Sequence, residues 1–194
     1  MLEQLRAALV AIVFFTALTG VVYPLAVTGV AQVAFHRQAN GSLIEKNGKV
    51  VGSELIGRQW NDPKYFWGRV SATLDANGKA LAYNAQNSGG SNLGPTNSAL
   101  ADEVKARLDV LEAADPENGA PVPVDLVTSS GSGLDPDISV EAAEYQIHRI
   151  ARARAMNERE VRAVVRRHVV ERTLGFLGEP RVNVQELNLA LDEL

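Results

Sequence analysis

The hydrophobic pattern divides the chain into two unlike parts. From Ala7 to Phe35 no charged residue occurs, and Gln32 is the only strongly polar side chain. Arg6 precedes this run, and His36-Arg37 follow it. About 20 apolar helical residues cross the hydrocarbon core of a bilayer, so the run spans it with a turn or two to spare. A cleaved signal peptide fits less well, because its apolar region is about 7–15 residues long, although Ala31-Gln32-Val33-Ala34 offers small residues for cleavage. A buried core helix would keep a polar face, and this run is apolar all round. Thr16, Gly20 and Pro24 recur at four-residue spacing, next to Tyr23, whose hydroxyl needs a partner at depth. Small residues so placed let another helix approach closely, whereas a lone anchor would carry them incidentally. The organisation expected is an N-terminal single-pass membrane anchor, residues 1–36, and one soluble domain, residues 37–194.

Beyond the anchor the periodicity shortens and changes. Asn40 to Val51 reads as a β-hairpin around Asn47-Gly48, a two-residue turn signal. Ser53 is placed to cap a short helix through Gln59, with Leu55 and Ile56 inward. Trp60 to Trp67 holds both tryptophans and two further aromatics, either core or a surface for a partner or sugar. A loop from Asn84 to Asn97 leads to a helix over Ser98–Ala114, with Leu100, Val104, Leu108 and Leu111 on its inner face. Asp115 to Pro123 reads as a linker, and Val122 to Val127 as a short strand. Ser139 caps a helix carrying Val140, Ala143, Ile147, Ile150 and Ala151. Asn157 and Glu160 form a capping box for the next, whose stripe is Val161, Val164, Val165 and Val169 with His168 on the same face. Asn183 and Glu186 open a last helix with Val184, Leu187, Leu191 and Leu194 inward. Together these elements predict an α+β fold: one transmembrane helix, then a domain with a small sheet and several amphipathic helices.

Composition removes several chemistries. There are no cysteines, which excludes disulfides, thiolate metal sites and a Cys nucleophile. His36, His148 and His168 lack ligand spacing, so no metal site is expected. The net charge of −4 gives no reason to expect a nucleic-acid partner. Eight arginines fall between Arg149 and Arg172; such a run is usually a solvated face, with phosphates or lipid headgroups as the functional alternative. Near the anchor, positive charges are denser on the C-terminal side, which by count would keep the domain in the cytoplasm.

Two loops carry the remaining chemistry. Ser88, Gly89, Gly90, Ser91, Asn92 and Asn97 form a glycine-rich stretch ahead of a helix, a place where backbone N–H groups can cradle an anion. Its Ser-Gly-Gly triplet is similar to the nucleotide-contacting signature of ATP-binding-cassette transporters, but no Gly-Lys-Ser/Thr and hence no P-loop is present. Thr128, Ser129, Ser130, Ser132 and Asp135 lie in the second loop. A serine nucleophile there would need a base and an oriented third group, and the Gly-x-Ser-x-Gly elbow is absent.

Three segments together resemble one family, the C subunit of the bacterial Kdp potassium-transporting ATPase. They are Tyr65-Phe66-Trp67-Gly68-Arg69 with Ser71-Ala72, the stretch Ser88 to Asn97, and Asp125 to Pro136 with Ile138-Ser139. The Tyr23-Pro24 anchor also fits, and the resemblance covers essentially the whole chain. Val70 departs from it, standing where proline is common, and Asp137 occupies a variable position. The resemblance implies a non-catalytic accessory subunit of a high-affinity, ATP-driven K+ import complex. Its implied partners are a channel-like K+-selecting subunit and a P-type ATPase subunit, in a bacterial inner membrane. It implies a role in assembly and activity, described as that of a catalytic chaperone raising the ATPase subunit's affinity for ATP. It also implies an extracytoplasmic domain, against the charge count. No cofactor is expected to bind tightly, and ATP only as part of the complex. The rival readings from the residues are an extracytoplasmic carbohydrate or cell-wall module built on Trp60–Trp67, and an anchored hydrolase using Ser129, Ser130 or Ser132.

Overall fold

A computed structural model describes residues 2–194. It divides into two compact units, one ending at Leu43 and one running from Ile44 to Leu194. In the first, a continuous helix is built from α1 (Leu2–Ala17), a π-helical turn (Leu18–Val22) and α2 (Tyr23–Ala34), and a short α3 (His36–Ala39) follows. Leu2–Ala34 is long and apolar enough to cross a membrane, and none of its most apolar window is buried.

The π turn has a local cause. Pro24 lacks an N–H and its ring crowds the carbonyl of Gly20 one turn earlier. Opening the turn so that Tyr23 N–H reaches Leu18 O relieves that contact. The turn falls inside the small-residue stripe, so Gly20 and Pro24 are not one α-turn apart as the spacing suggests. Gly20 lies on a bare surface, with nothing within 4 Å of where a Cβ would stand.

The second unit holds all but the first residue of β1 (Leu43–Lys46), then β2 (Lys49–Ser53), α4 (Ser98–Ala114), a 3-10 turn (Val124–Leu126), β3 (Asp137–Ser139), α5 (Val140–Arg154), α6 (Glu158–Arg167), β4 (Val169–Val170), β5 (Arg181–Asn183) and α7 (Val184–Leu191). The fold is α+β, as expected. β1 and β2 pair around Asn47 and Gly48, both at positive φ, which gives the turn its hairpin twist. The other sheet is antiparallel in the order β3-β5-β4, with Ile138 opposite Val182 and Val182 opposite Val169.

Local capping explains the helices. Ser139 Oγ accepts from Ala142 N and starts α5. Asn157 and Glu160 form the complete capping box of α6. Asn183 accepts from Gln185 N and Glu186 N and starts α7. Ile147 and Ile150 of α5, Val161, Val164 and Val165 of α6, and Leu187 and Leu191 of α7 form the centre of the core. Each such side chain contributes roughly 1.5–3 kcal/mol by leaving water.

Four expectations are corrected. No helix forms at Ser53–Gln59: Ser53 Oγ accepts from Leu55 N, Ile56 bridges back to Ser53, and Leu55 is exposed. The backbone there serves other segments, since Glu54 O accepts from Asn183 Nδ2 and Gly57 N donates to Leu134 O. The Val122–Val127 strand is instead the 3-10 turn, entered from Pro123 at ψ 140°. Its Asp125 carboxylate accepts from both Ser139 N and Ser139 Oγ, drawing the chain onto the α5 cap. Leu194 points outward at 69% exposure. His168 and Val169 do not continue the α6 stripe: His168 is the C-cap, its Nδ1 2.8 Å from Val164 O, and Val169 belongs to β4.

The aromatic stretch is core more than surface. Phe66 and Trp67 are buried, which takes both from a sugar-stacking platform. This segment belongs to no sheet, so its backbone groups are satisfied by side chains. Asn188 Oδ1 accepts from Phe66 N at 2.8 Å and Asn188 Nδ2 donates to Phe66 O at 2.9 Å. Gln146 does the same for Trp67, at 2.7 and 3.1 Å. Arg149 Nη1 donates to the carbonyls of Pro63 and Tyr65, and its guanidinium carbon lies 4.1 Å from the Trp67 ring centroid. Arg154 Nε donates to Lys64 O at 2.7 Å. Burial pushes Arg149 down to about 10. The arginine run is therefore not one solvated face, because Arg149 and Arg154 turn onto this segment.

Asn188→Ala leaves a buried N–H and a buried carbonyl unpaired, and should cost about 2–4 kcal/mol of stability, read as a lower unfolding midpoint of the purified chain.

Candidate functional site

Leaving the buried Phe66-Trp67 pair, the chain meets the second of the loops singled out in the sequence. Val70 bridges Ser129 in parallel fashion, and Ser130 N donates to Val70 O at 3.1 Å. Arg69 reaches the same loop: Nη1 pairs with Asp135 Oδ2 at 3.1 Å and Nη2 donates to Ser129 O at 3.3 Å. Ser71 Oγ donates to Gly133 O at 2.7 Å and accepts from Tyr83 N at 2.9 Å. Thr73 Oγ1 donates to Leu81 O at 2.6 Å, and Tyr83 OH to Arg69 O at 2.8 Å.

The serine loops join directly. Gly89 N donates to Ser132 O at 2.9 Å, Ser88 Oγ to the same oxygen at 3.0 Å, and Ser129 Oγ to Ser91 Oγ at 3.1 Å. Two glycines permit this approach. A Cβ on Gly90 would lie 3.1 Å from Gly131 O, and one on Gly133, at φ +67°, would lie 2.7 Å from Gly89 O. Asn92, at φ 54°, donates from Nδ2 to Gly90 O. The structure thus brings Ser88–Ser91, Ser129–Ser132 and Asp135 together. It leaves Asn97 apart as the α4 N-cap, accepting from Ala99 N, and turns Thr128 Oγ1 toward Val124 O.

These bonds bear on the candidate chemistries. Gly89 N and Ala99 N are engaged within the protein, so they do not serve an anion cradle. The serines bond to one another and to backbone, while His148 Nδ1 sits 2.8 Å from Asp115 and His168 sits against Val164 O. Among the described residues no histidine is hydrogen-bonded to the serine cluster, so the base a hydrolase needs is not supplied there. Asp115, read from the sequence as the first residue of a linker, is buried and paired with His148 and Arg152.

A cavity of about 710 Å³ opens at the junction, lined by Trp60, Arg69, Ser71, Ser91 and Ser129 and by Arg107 of α4 among others. Sequence reasoning missed Ser71, Thr73, Tyr83 and Arg107 as site residues. Arg107 had a signal: it falls among Val104, Leu108 and Leu111 on the inward side of α4, where a cation is out of place. Its Nε donates to Leu126 O at 3.0 Å, and burial holds it below the usual guanidinium range.

Burial pushes the Tyr83 phenol up to about 12, against about 10 for a free phenol. The folded chain therefore holds this proton more tightly than the unfolded chain does. The resulting stability is complete below about pH 10 and is lost as pH rises through about 12. Tyr83→Phe should remove this part of the alkaline loss, seen by comparing unfolding midpoints of the two chains from neutral to strongly alkaline pH.

Comparison with known proteins places the whole chain. A family model described as KdpC, K+-transporting ATPase, c chain, matches residues 5–193. A potassium-transporting ATPase KdpC subunit from Sorangium cellulosum is 60% identical over 192 residues, covering 99% of this chain and 98% of its own. The protein of the same name from Paraburkholderia phytofirmans is 58% identical over 189 residues, covering 97% and 96%. That from Methylococcus capsulatus is 57% identical over 194 residues, covering both chains in full. A match of this extent, running from the apolar helix through both serine loops to α7, shows that the chain belongs to the KdpC family, the c chain of K+-transporting ATPases.

Proposed function

We propose that this chain is a non-catalytic accessory subunit of an ATP-driven K+ import complex, held in a bacterial inner membrane by its single N-terminal helix. The observation that carries this reading is the family match over residues 5–193, supported by relatives named as subunits of a potassium-transporting ATPase. Its partners are the channel-like K+-selecting subunit and the P-type ATPase subunit. The anchor docks laterally on partner helices through the stretch holding Thr16, Gly20, Tyr23 and Pro24, with the π turn shifting Tyr23 and Pro24 around the helix from Thr16. The bare surface at Gly20 supports that contact, because a neighbouring backbone meets no side chain there.

The domain stands outside the cytoplasm in this proposal, over the side from which K+ enters. It then raises the ATPase subunit's affinity for ATP without touching nucleotide, through coupled conformations of the assembly. The sequence has neither the Asp-Lys-Thr-Gly motif on which a P-type pump is phosphorylated nor a P-loop. The junction of Ser88–Asn92 with Thr128–Asp135 acts as a rigid platform for partner contacts, since function tends to sit on loops carried by a fixed scaffold.

Two experiments test this. Removing residues 1–36 should abolish support of K+ uptake in cells lacking their own copy of the subunit, while the fragment keeps its helical circular dichroism. Full uptake with that fragment would refute the anchor's role. For the side of the membrane, a single cysteine at Glu117, an exposed position in this cysteine-free chain, serves as reporter. Labelling by an impermeant thiol reagent in cells with an opened outer envelope is the expected result. Protection until the inner membrane is lysed would place the domain in the cytoplasm and make direct action on nucleotide the better account.

A further inference from the structure

Asn-Gly steps stand at Asn40, Asn47, Asn77 and Asn118. Each carries a reaction of its own. The backbone nitrogen after the asparagine can attack the side-chain carboxamide, and glycine, with no Cβ, leaves that approach open. The fold decides whether it happens. The amide nitrogen must be free to lose its proton, and the carboxamide must be free to turn toward it. A hydrogen bond to either group has to break first, and so adds to the barrier.

Three of the steps are tied down. Asn40 Nδ2 donates to His36 O at 2.6 Å, and Gly41 N donates to Gln38 O at 3.0 Å. Gly78 N donates to Asp75 O at 3.1 Å. Asn118 Nδ2 donates to Tyr145 O at 2.9 Å, and its Oδ1 accepts from Ala120 N at 3.2 Å. Asn47 differs. It stands with Gly48 in the exposed turn between β1 and β2. Among the described residues neither its carboxamide nor the Gly48 N–H has a hydrogen-bond partner. Lys46 and Lys49 flank the step, so a negative charge formed there meets cations.

We infer that Asn47 is a site of spontaneous covalent modification, where the folded chain deamidates. Gly48 N gives its proton to solvent base and bonds to Asn47 Cγ. The Cγ–Nδ2 bond breaks, and Nδ2 takes up a proton and leaves as ammonia. Water then opens the five-membered imide. Cleavage of the new Cγ–N bond gives aspartate. Cleavage of the original peptide C–N bond routes the main chain through Cβ and Cγ and gives isoaspartate. Aspartate suits the turn, because Asp-Gly favours the same hairpin, whereas isoaspartate lengthens the chain between β1 and β2. No residue of either strand is buried, so the core is not disturbed by the change.

The test incubates the full chain in lipid nanodiscs at neutral and mildly alkaline pH. Peptide mass spectrometry follows each step, and labelling by an isoaspartyl methyltransferase is the second readout. Asn47 should convert about tenfold or more faster than Asn40, Asn77 or Asn118, and faster as pH rises. In urea the rates should converge, with the smallest gain at Asn47. Asn47→Gly keeps a Gly-Gly hairpin turn, and should remove most of the methyltransferase signal while the unfolding midpoint stays in place. Conversion of another step as fast as Asn47 in the folded chain would overturn the proposal. A gain at Asn47 in urea as large as at the other steps would show that the hairpin protects it, and would overturn it too. So would an undiminished isoaspartate signal from Asn47→Gly.

Discussion

The soluble unit depends on how an irregular strand of backbone is kept in its core. Phe66 and Trp67 are buried but pair with no β-strand. Water cannot reach their amides, so each must find a partner inside. Asn188 closes on Phe66 and Gln146 on Trp67, each using a carboxamide as a substitute for a neighbouring strand. Arg149 extends the same service to the carbonyls before them. A side-chain amide is both donor and acceptor at a fixed spacing, which is what a peptide group requires. Helices α5 and α7 are thereby locked to one segment as well as to each other.

That lock sets the course of the next segment. Gly68 to Thr73 leaves the core in a defined direction and receives the Thr128–Asp135 loop along Arg69, Val70 and Ser71, and that loop in turn holds Ser88–Ser91. The loops are short of secondary structure but not short of bonds. Gly90 and Gly133 let their backbones touch, and the Arg69–Asp135 pair ties the far end. This pair is only partly buried, so its value lies in register more than in free energy. A junction built this way holds its shape while presenting polar backbone and hydroxyl groups.

The anchor follows a different physics. Between Ala7 and Ala31 its surface carries no charge, and its polar backbone is satisfied internally, the arrangement a bilayer core requires. The single departure is the π turn ahead of Pro24, where a missing N–H and a ring clash are absorbed by one wider turn. Such a turn changes which residues share a face, so a stripe read from four-residue spacing is displaced across it.

What the sequence determined by itself was local. The apolar run, the Asn47-Gly48 hairpin, the caps at Ser139, Asn157 and Asn183, the stripe of α5 and the Val161–Val165 part of the α6 stripe all rest on neighbours within a turn, and they appear where the spacing puts them. The motifs at Ser88–Asn97 and Asp125–Pro136 were legible as motifs, but not as parts of one junction. Only the tertiary structure decided that Ser129 and Ser132 join them, that Arg149 and Gln146 turn inward from a helix that reads as charged, and that Val124–Leu126 coils instead of extending. β4 and β5 are two and three residues long, too short for an alternating pattern to mark them. The reason is the same in each case. A polar side chain on an apolar face becomes a core residue when a distant backbone group needs a partner, and sequence spacing carries no record of that distant group.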